Sequence, residues 1–304
     1  MTYVTRFAPS PTGPLHLGHA YSALLAHDMA KAHRGQFLLR IEDIDQSRAR
    51  PEWEAQIYDD LAWLGLTWPM PVMRQSERID TYSAALRNLV AKGLAYPCTC
   101  SRRDIAAAAS APQEGAPLIG PDGIVYPGTC RPSLDAAPRG VSDGAALRLD
   151  MRAARLRLGA APVFTETGLG PDGETGPIDT CWETVFETVG DIVIARPAMG
   201  TSYHLSVVLD DAAQGITTVT RGQDLFEATV IHVILQRLLG VPTPLYHHHR
   251  LIRDNHGKRL AKRDDARAIA KYRAEGANPQ DIRAMIGLVQ GPAAHTLGSR
   301  PASS

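Results

Sequence analysis

A Pro- and Gly-rich segment near the start of the chain, PSPTGPLHLGH at Pro9–His19, constrains the fold more than any other feature. It separates residues 2–8, which are β-prone, from Leu15–His33, where apolar residues recur at helical spacing. A second strand is predicted at 36–45 and a second helix at Pro51–Leu64. The order strand, helix, strand, helix is typical of an α/β protein with a parallel sheet, whose ligand site lies at the carboxyl ends of the strands.

The regular pattern stops at about residue 96 and returns near residue 191. The stretch between them contains an Ala run and many Gly and Pro residues, and we interpret it as an insertion. Beyond it, strands are predicted at Asp191–Ala195, Tyr203–Asp210 and Ile216–Thr220, followed by a helix at Leu225–Leu239. The predicted division is therefore 1–95 and 191–250 as two halves of a main domain, 96–190 as the insertion, 251–286 as a loop with a short helical region, and 287–304 as a disordered tail.

Composition and charge narrow the class of protein. The chain has 304 residues, of which 44% are hydrophobic and 21% charged, which suits one large or two ordinary globular domains. No signal peptide or membrane-spanning run is recognisable, so we expect a cytoplasmic protein without a membrane partner. Basic and acidic residues balance at 32 each, so a nucleic acid would have to bind a local patch such as Arg250–Arg273. P-loop, HExxH and GxSxG motifs are absent from the sequence, so neither a P-loop kinase nor a zinc protease is supported.

The predicted start of the first helix carries a candidate phosphate-binding site. A helix N-terminus offers free N–H groups and a partial positive charge to an anion. His16 and His19 lie three residues apart and share one helix face, and Gly18 leaves room for a nucleotide. Two imidazoles there could donate hydrogen bonds to a phosphate as the phosphorus becomes five-coordinate. A bare HxGH pattern would equally fit two surface histidines, but the whole eleven-residue segment in its strand-to-helix context favours the phosphate site.

A second basic element, KRLAKR at Lys258–Arg263, offers charge for further phosphates, although such a run alone is more often a solvated loop. Together the two elements resemble the HIGH and KMSKS signatures of class I aminoacyl-tRNA synthetases, with RLAKR as a variant second signature. The resemblance implies that Mg-ATP binds at His16, Gly18, His19 and Lys262. It also implies that His16, His19 and Lys262 are catalytic.

The resemblance also predicts a fold. Residues 1–95 and 191–250 are expected to form a Rossmann-type parallel sheet as the catalytic domain. Residues 96–190 are expected to form an inserted, zinc-bearing α+β subdomain. Residues 251–286 are expected to form a short helical C-terminal part.

The residues around the first two strands suggest which amino acid is activated. The sequence around Arg6 and Glu42, and that of 202–224, is similar to the glutamyl-tRNA synthetase-like family. The similarity places Arg6, Ala8, Ser10, Glu42, Tyr203 and Arg221 at positions that bind L-glutamate. Glu42 would bind the α-ammonium group, and the two arginines with Tyr203 the carboxylates. Taken alone, Tyr203 or Arg221 would be an ordinary structural residue.

The acceptor is inferred from the end of the chain. Only 42 residues follow Lys262 (304 minus 262), and we expect no separate anticodon-reading domain among them. The chain thus resembles the branch of the family that esterifies glutamate onto queuosine at the wobble position of tRNA-Asp. Its expected partners are ATP, L-glutamate and tRNA-Asp, and we expect a monomer. The alternatives are an enzyme that charges the 3′ end of a tRNA and a non-catalytic, tRNA-binding paralogue.

Three cysteines of the predicted insertion form a candidate metal site. Cys98 and Cys100 lie two residues apart on an extended segment, and Cys130 follows later. Spacing alone suggests Cys181 as a fourth ligand, whereas the family resemblance selects Tyr126. One structural zinc ion is expected, and three reduced cysteines without a metal are the alternative.

Overall fold

The computed structural model describes residues 2–109, 119–137, 140, 144–253 and 267–288. Its strands are β1 (Val4–Phe7), β2 (Gln36–Ile41), β3 (Met73–Arg74), β4 (Ala95–Cys98), β5 (Ile119–Gly120), β6 (Gly123–Ile124), β7 (Ala146–Leu149), β8 (Val163–Glu166), β9 (Gly176–Asp179), β10 (Val193–Ala195), β11 (Thr218–Gly222) and β12 (Leu245–His249). Its helices are α1 (Leu17–Ala32), α2 (Pro51–Trp63), α3 (Ile79–Ala91), α4 (Arg102–Ala109), α5 (Met151–Leu158), α6 (Trp182–Thr188), α7 (Tyr203–Ala213), α8 (Thr229–Leu239), α9 (Ile269–Ala274) and α10 (Pro279–Met285).

A mainly parallel sheet forms the centre of the fold. β2 pairs in parallel with β1 and β3, and β12 pairs in parallel with β11 and β8, while β9 is antiparallel to β8. The two groups of strands meet at β1 and β11, where the Thr217 amide donates to the Val4 carbonyl at 3.0 Å and the Val4 amide donates to the Thr217 hydroxyl at 2.8 Å. The predicted βαβ opening is confirmed, because α1 connects the parallel strands β1 and β2. β8 and β9 belong to this sheet although they lie within the predicted insertion range.

A smaller, separate antiparallel sheet has the strand order β10-β7-β4. One apolar core joins this sheet to α5, α7 and α8, and a second core packs α1 against β2, α2 and the last two helices. These two cores cover the sheets and bring their ends together around a shared cleft.

One element differs from the sequence prediction. Tyr203–Asp210 was predicted to be a strand, but it lies in helix α7, which begins at the cap Ser202. Ser202 Oγ accepts from the Leu205 amide. Seven residues of α7 are buried, including the charged Asp210 and Asp211, because the helix packs between α3, α8 and β10. A helix buried on most of its surface has a nearly continuous apolar run, which resembles the pattern of a buried strand.

The chain after residue 266 packs against the first helix. The Ile269 amide donates to the Leu15 carbonyl at 2.9 Å, and Ala268 forms an isolated antiparallel bridge with His16. Arg283 of α10 forms a two-pronged ion pair with Asp28 of α1, at 2.6 and 2.9 Å. Among the described residues, no helix combines the length and the apolar character needed to cross a membrane.

Candidate active site

The N-terminus of α1 is capped by its own histidines. His16 is the cap residue, and its Nδ1 accepts from the Gly18 amide at 3.1 Å. His19 Nδ1 accepts in turn from the His16 amide at 3.1 Å, and the two rings lie 3.8 Å apart between their centroids. An imidazole nitrogen that accepts a hydrogen bond carries no proton, so each neutral ring holds its proton on Nε2. Both histidines are thus set as Nε2–H donors at the start of a helix, the arrangement that suits an anion.

The predicted phosphate lysine, Lys262, lies outside the described residues, together with Arg259 and the rest of 254–266. The described chain resumes at Arg267, and Ala268 is bridged directly to His16. The described chain that follows Lys262 in sequence therefore starts beside the histidine motif.

A cleft of about 380 Å³ opens at the carboxyl ends of β1 and β2. Three of the residues predicted to bind glutamate line it, namely Ser10, Glu42 and Tyr203. Ala8 is half-buried and follows the end of β1. Arg6 and Arg221 are buried, and their positive charges act on the Tyr203 phenol, as does the negative charge of Glu42. Burial is the main cause that raises the pKa of Tyr203, so its hydroxyl stays protonated and can donate a hydrogen bond.

A buried ion network holds Arg6 and Glu42 in place. Arg6 contacts both carboxylate oxygens of Asp211, at 3.0 and 3.3 Å, and donates to the Thr220 carbonyl. Arg40 is fully buried and joins Asp211 at 2.6 Å to Glu42 at 3.0 Å. Burial raises the pKa of Glu42, and Arg40 only partly offsets this effect. The sequence prediction did not include Arg40 and Asp211, the residues that hold Arg6 and Glu42 in place. Arg40 could have been found, because Arg40 and Glu42 are two residues apart at the end of β2, a spacing that places both on one face of the strand.

Arg221 has a different set of partners. It donates from Nε to His248 Nε2 at 3.0 Å and from Nη2 to the Thr229 hydroxyl at 2.8 Å, and its Nη1 lies 2.9 Å from His232 Nδ1. Its guanidinium also lies over the Tyr246 ring, 5.1 Å from the centroid. These partners come from β12 and α8, and the sequence contains no motif that connects them with Arg221.

Cys98, Cys100 and Cys130 converge so that their sulfur atoms all lie within 4.8 Å of one another. The Tyr126 hydroxyl lies 3.4 Å from the sulfurs of Cys98 and Cys100, and it accepts from the Cys130 amide at 2.8 Å. Tetrahedral zinc thiolates with bonds of about 2.3 Å require sulfur pairs roughly 3.8 Å apart, close to this spacing. Burial tends to raise the pKa of Cys130, but the Tyr126 hydroxyl and a backbone hydrogen bond lower it to about 6. The three cysteines can hold a metal ion.

Cys181, the alternative fourth ligand, lies elsewhere. It is exposed and caps α6, where its sulfur accepts from the Thr184 amide. Cys181 is not part of the group of three converging cysteines. The Tyr126 hydroxyl, in contrast, contacts the Cys98 sulfur of that group directly.

Comparison with known proteins identifies the family. The class I tRNA synthetases (E and Q), catalytic domain, match residues 2–116 and 176–295. A glutamyl-Q tRNA(Asp) synthetase of Rhodobacter capsulatus is 65% identical over 290 residues, which cover 94% of this chain and all of the relative. The chain belongs to the glutamyl-Q tRNA(Asp) synthetase family. It is accordingly a ligase of the class I aminoacyl-tRNA synthetase type.

Other relatives agree with this membership. A glutamyl-Q tRNA(Asp) synthetase of Geobacter sulfurreducens is 43% identical, over 89% of this chain and 78% of the relative. The crystal structure of a glutamate tRNA ligase from Elizabethkingia meningosepticum in complex with its amino acid matches with a TM-score of 0.70 and 25% identity, over 95% of this chain and 61% of that one. Mycobacterium tuberculosis methionyl-tRNA synthetase bound by methionyl-adenylate matches with a TM-score of 0.57 at 11% identity, which supports the class I synthetase fold alone.

Proposed function

We propose that this glutamyl-Q tRNA(Asp) synthetase family member activates glutamate with ATP in the absence of tRNA. We further propose that it transfers the glutamyl group to queuosine at the wobble position of tRNA-Asp. The observation that carries the proposal is the cleft at the ends of β1 and β2, where Glu42 and Tyr203 line a space together with Ser10 and Thr12 of the loop that leads to α1. The names of the relatives support the choice of acceptor.

Glutamate suits the charges of this cleft. Its α-ammonium group needs an anion, and Glu42 is the carboxylate of the predicted set that lines the space. Its carboxylates need donors. Arg6 and Arg221 would supply them from buried positions that hydrogen bonds fix, and Tyr203 from the lining of the cleft. Ala8 and Ser10 complete the predicted glutamate site on the loop that follows β1.

In the proposed reaction, the α-carboxylate of glutamate attacks the α-phosphorus of ATP in line, and pyrophosphate leaves. His16 and His19 donate from Nε2 to the phosphate, where negative charge accumulates, and Gly18 lets the nucleotide approach the backbone. Lys262 is proposed to bind the departing phosphates. Mg²⁺ bound with ATP would neutralise charge on the β- and γ-phosphates.

A structural zinc ion is proposed for the insertion. Cys98, Cys100 and Cys130 would bind it as thiolates, and Tyr126 would supply the fourth ligand because its oxygen already lies 3.4 Å from two of the sulfurs. The ion would stabilise this part of the chain and would take no part in activation.

Glutamate activation is tested by ATP–pyrophosphate exchange with purified protein and no tRNA. The wild type is expected to exchange with L-glutamate, whereas Lys262→Ala should lose roughly 100-fold or more of the rate. Lys271→Ala, a lysine of α9 with an exposed side chain, is the matched control and should exchange like the wild type. Full exchange by Lys262→Ala would disprove the phosphate role of this lysine.

The acceptor is tested with tRNA-Asp in three forms. Radiolabelled glutamate should enter tRNA-Asp that contains queuosine, and it should still do so when the 3′-terminal adenosine has been removed. It should not enter tRNA-Asp with guanosine at the wobble position. Incorporation that requires the 3′ adenosine would favour the alternative enzyme, which charges the 3′ end, as the structural match to a glutamate tRNA ligase allows.

A further inference from the structure

Arg221 lies at the centre of a chain of buried histidines that ends in a carboxylate on each side. On one side, His248 Nε2 contacts Arg221 Nε, and His248 Nδ1 lies 2.5 Å from Glu166 Oε2. On the other side, His232 Nε2 lies 3.1 Å from His204 Nδ1, and His204 Nε2 lies 3.5 Å from Asp122 Oδ1. His248, Glu166, His232 and His204 are all buried.

The arginine fixes the proton position on His248. A guanidinium only donates hydrogen bonds, so His248 Nε2 must accept from Arg221 and Nδ1 must carry the proton. That Nδ1–H donates to Glu166, whose other oxygen accepts from the amides of Gly168 at 2.7 Å and His248 at 2.8 Å. Burial would raise the pKa of Glu166, but these hydrogen bonds lower it, so Glu166 remains a carboxylate.

The same rule determines the other branch. His232 Nδ1 accepts from Arg221 Nη1, so its proton lies on Nε2 and is donated to His204 Nδ1. His204 therefore carries its proton on Nε2, which faces Asp122. Burial and the charge of Arg221 place the pKa of His232 well below its usual value, which keeps the ring neutral. In every hydrogen bond of this histidine network, the donor lies on the side nearer to Arg221.

The guanidinium is held rigidly, but within the described ranges no ion pair balances its charge. His248, His232 and Thr229 engage three of its five N–H groups, and in the same part of the chain the other two have no acceptor, which leaves them for a ligand. Among the described residues, no carboxylate lies within ion-pair distance of Arg221, and Glu166 and Asp122 are separated from it by neutral rings. Arg6, in contrast, is paired directly with Asp211. A buried cation of this kind favours an anionic ligand.

We propose that Glu166 and His248 are positioning residues that select glutamate by orienting Arg221 toward the substrate carboxylate, with His232 as the second support. Register favours this arrangement, since Arg221 and His248 are paired neighbours on β11 and β12, and Glu166 pairs with Tyr246 of β12. The proposal rests on the proposed glutamate activation. It adds that selection depends on the tautomer of a histidine that does not touch the substrate.

Glu166→Gln tests the proposal with almost no change of shape. The glutamine oxygen is still needed by the amides of Gly168 and His248, so its NH₂ group must face His248 Nδ1. Two donors cannot share that contact, so His248 must move its proton to Nε2, where it opposes Arg221 Nε–H. We expect the KM for glutamate in ATP–pyrophosphate exchange to rise about 10-fold or more, with the KM for ATP nearly unchanged. Glu183→Gln, an exposed residue of α6, is the control and should change neither value.

Two variants of His248 extend the test. His248→Ala removes both hydrogen bonds and should raise the KM for glutamate as Glu166→Gln does. His248→Gln should recover part of the affinity, because its amide oxygen can accept from Arg221 while its NH₂ group donates to Glu166. Equal defects in the two His248 variants would contradict the orienting role.

Histidine ¹⁵N NMR reads the tautomers directly, in the wild type as well as in a variant. In the wild type at neutral pH, His248 should be the Nδ1–H tautomer and His232 the Nε2–H tautomer, and His248 should switch in Glu166→Gln. An Nε2–H His248 in the wild type, or an unchanged KM for glutamate in a folded Glu166→Gln protein, would overturn the proposal. A wild type that shows these tautomers but no glutamate-dependent exchange would instead refute the proposed function.

Discussion

At the scale of single residues, Glu42 is the carboxylate proposed to bind the ammonium group of glutamate. Its carboxylate is largely buried and depends on Arg40 for its charge, since burial raises its pKa and Arg40 and Arg6 lower it again. Asp211 lies on the far side of Arg40 and adds a repulsive charge. The bound ammonium group would relieve this cost by acting as a further cation. Glu42 is thus ready to ionise fully when glutamate binds.

The pH dependence of glutamate binding follows from this environment. Only the ionised carboxylate attracts the ammonium group, and a raised pKa means that Glu42 takes up its proton at a higher pH than an ordinary glutamate does. The KM for glutamate is therefore expected to rise as the pH falls. The rise should begin at a higher pH than it would for a free glutamate side chain, whose pKa is about 4.3.

Glu42→Gln should remove this pH dependence and weaken binding at neutral pH by roughly 2 kcal/mol or more, about 30-fold. Exchange kinetics across a pH series measure both effects. Glu52→Gln, on the exposed start of α2, removes an equal charge and should keep the wild-type profile. If Glu42→Gln retained the wild-type pH profile, another group would have to bind the ammonium.

At the scale of elements, one residue at the start of α1 combines a helix cap with a proposed ATP contact. His16 caps the helix through Nδ1 and is proposed to contact ATP through Nε2. Asparagine is a good helix cap, because its side-chain oxygen can accept from the same amides, whereas alanine cannot cap.

The two functions can therefore be separated by substitution. His16→Ala should lose about 1 kcal/mol of stability, and His16→Asn should lose only a few tenths. Both variants should lose roughly 100-fold of the exchange rate, because neither retains the imidazole. Urea unfolding and ATP–pyrophosphate exchange measure the two effects on the same samples. Exchange at the wild-type rate in His16→Asn would show that His16 acts only as a cap.

The elements also show what local sequence can predict. The helix start at the histidine motif and the βαβ opening depend on residues that are neighbours in sequence. Apolar periodicity and loop residues were therefore sufficient to predict these elements. The prediction for Tyr203–Asp210 was wrong because burial of α7 between other elements hides the helical period. The network around Arg221 could not be found at all, because Glu166, His232 and His248 come from three elements that only the folded sheet brings together.

At the scale of the whole molecule, the cleft is shared by the two sheets. Ser10 and Glu42 follow strands of the parallel sheet, whereas Val193 and Arg196 belong to or follow β10 of the antiparallel sheet. Asp122, in the turn between β5 and β6, completes the lining and contacts His204. The same short hairpin leads to Tyr126 and the cysteine group, so the candidate metal site anchors a segment that reaches the cleft.

Metal binding should therefore stabilise the protein as a whole, and its ligands can be assigned by substitution. The wild type is expected to contain one zinc ion, and Cys100→Ser should lose it together with roughly 5 °C or more of its melting temperature. Cys181→Ser is the matched control, because serine also caps a helix well and Cys181 lies outside the sulfur group.

The fourth ligand is distinguished by Tyr126→Phe, which keeps the aromatic ring beneath Arg148 and removes only the hydroxyl. Zinc should still bind through three thiolates, but it should be released to a chelator faster than from the wild type. Metal analysis before and after timed exposure to the chelator measures this difference. Zinc loss from Cys181→Ser, with normal retention by Tyr126→Phe, would assign the fourth position to the cysteine, and α6 would then have to move toward the cysteine group when the metal binds.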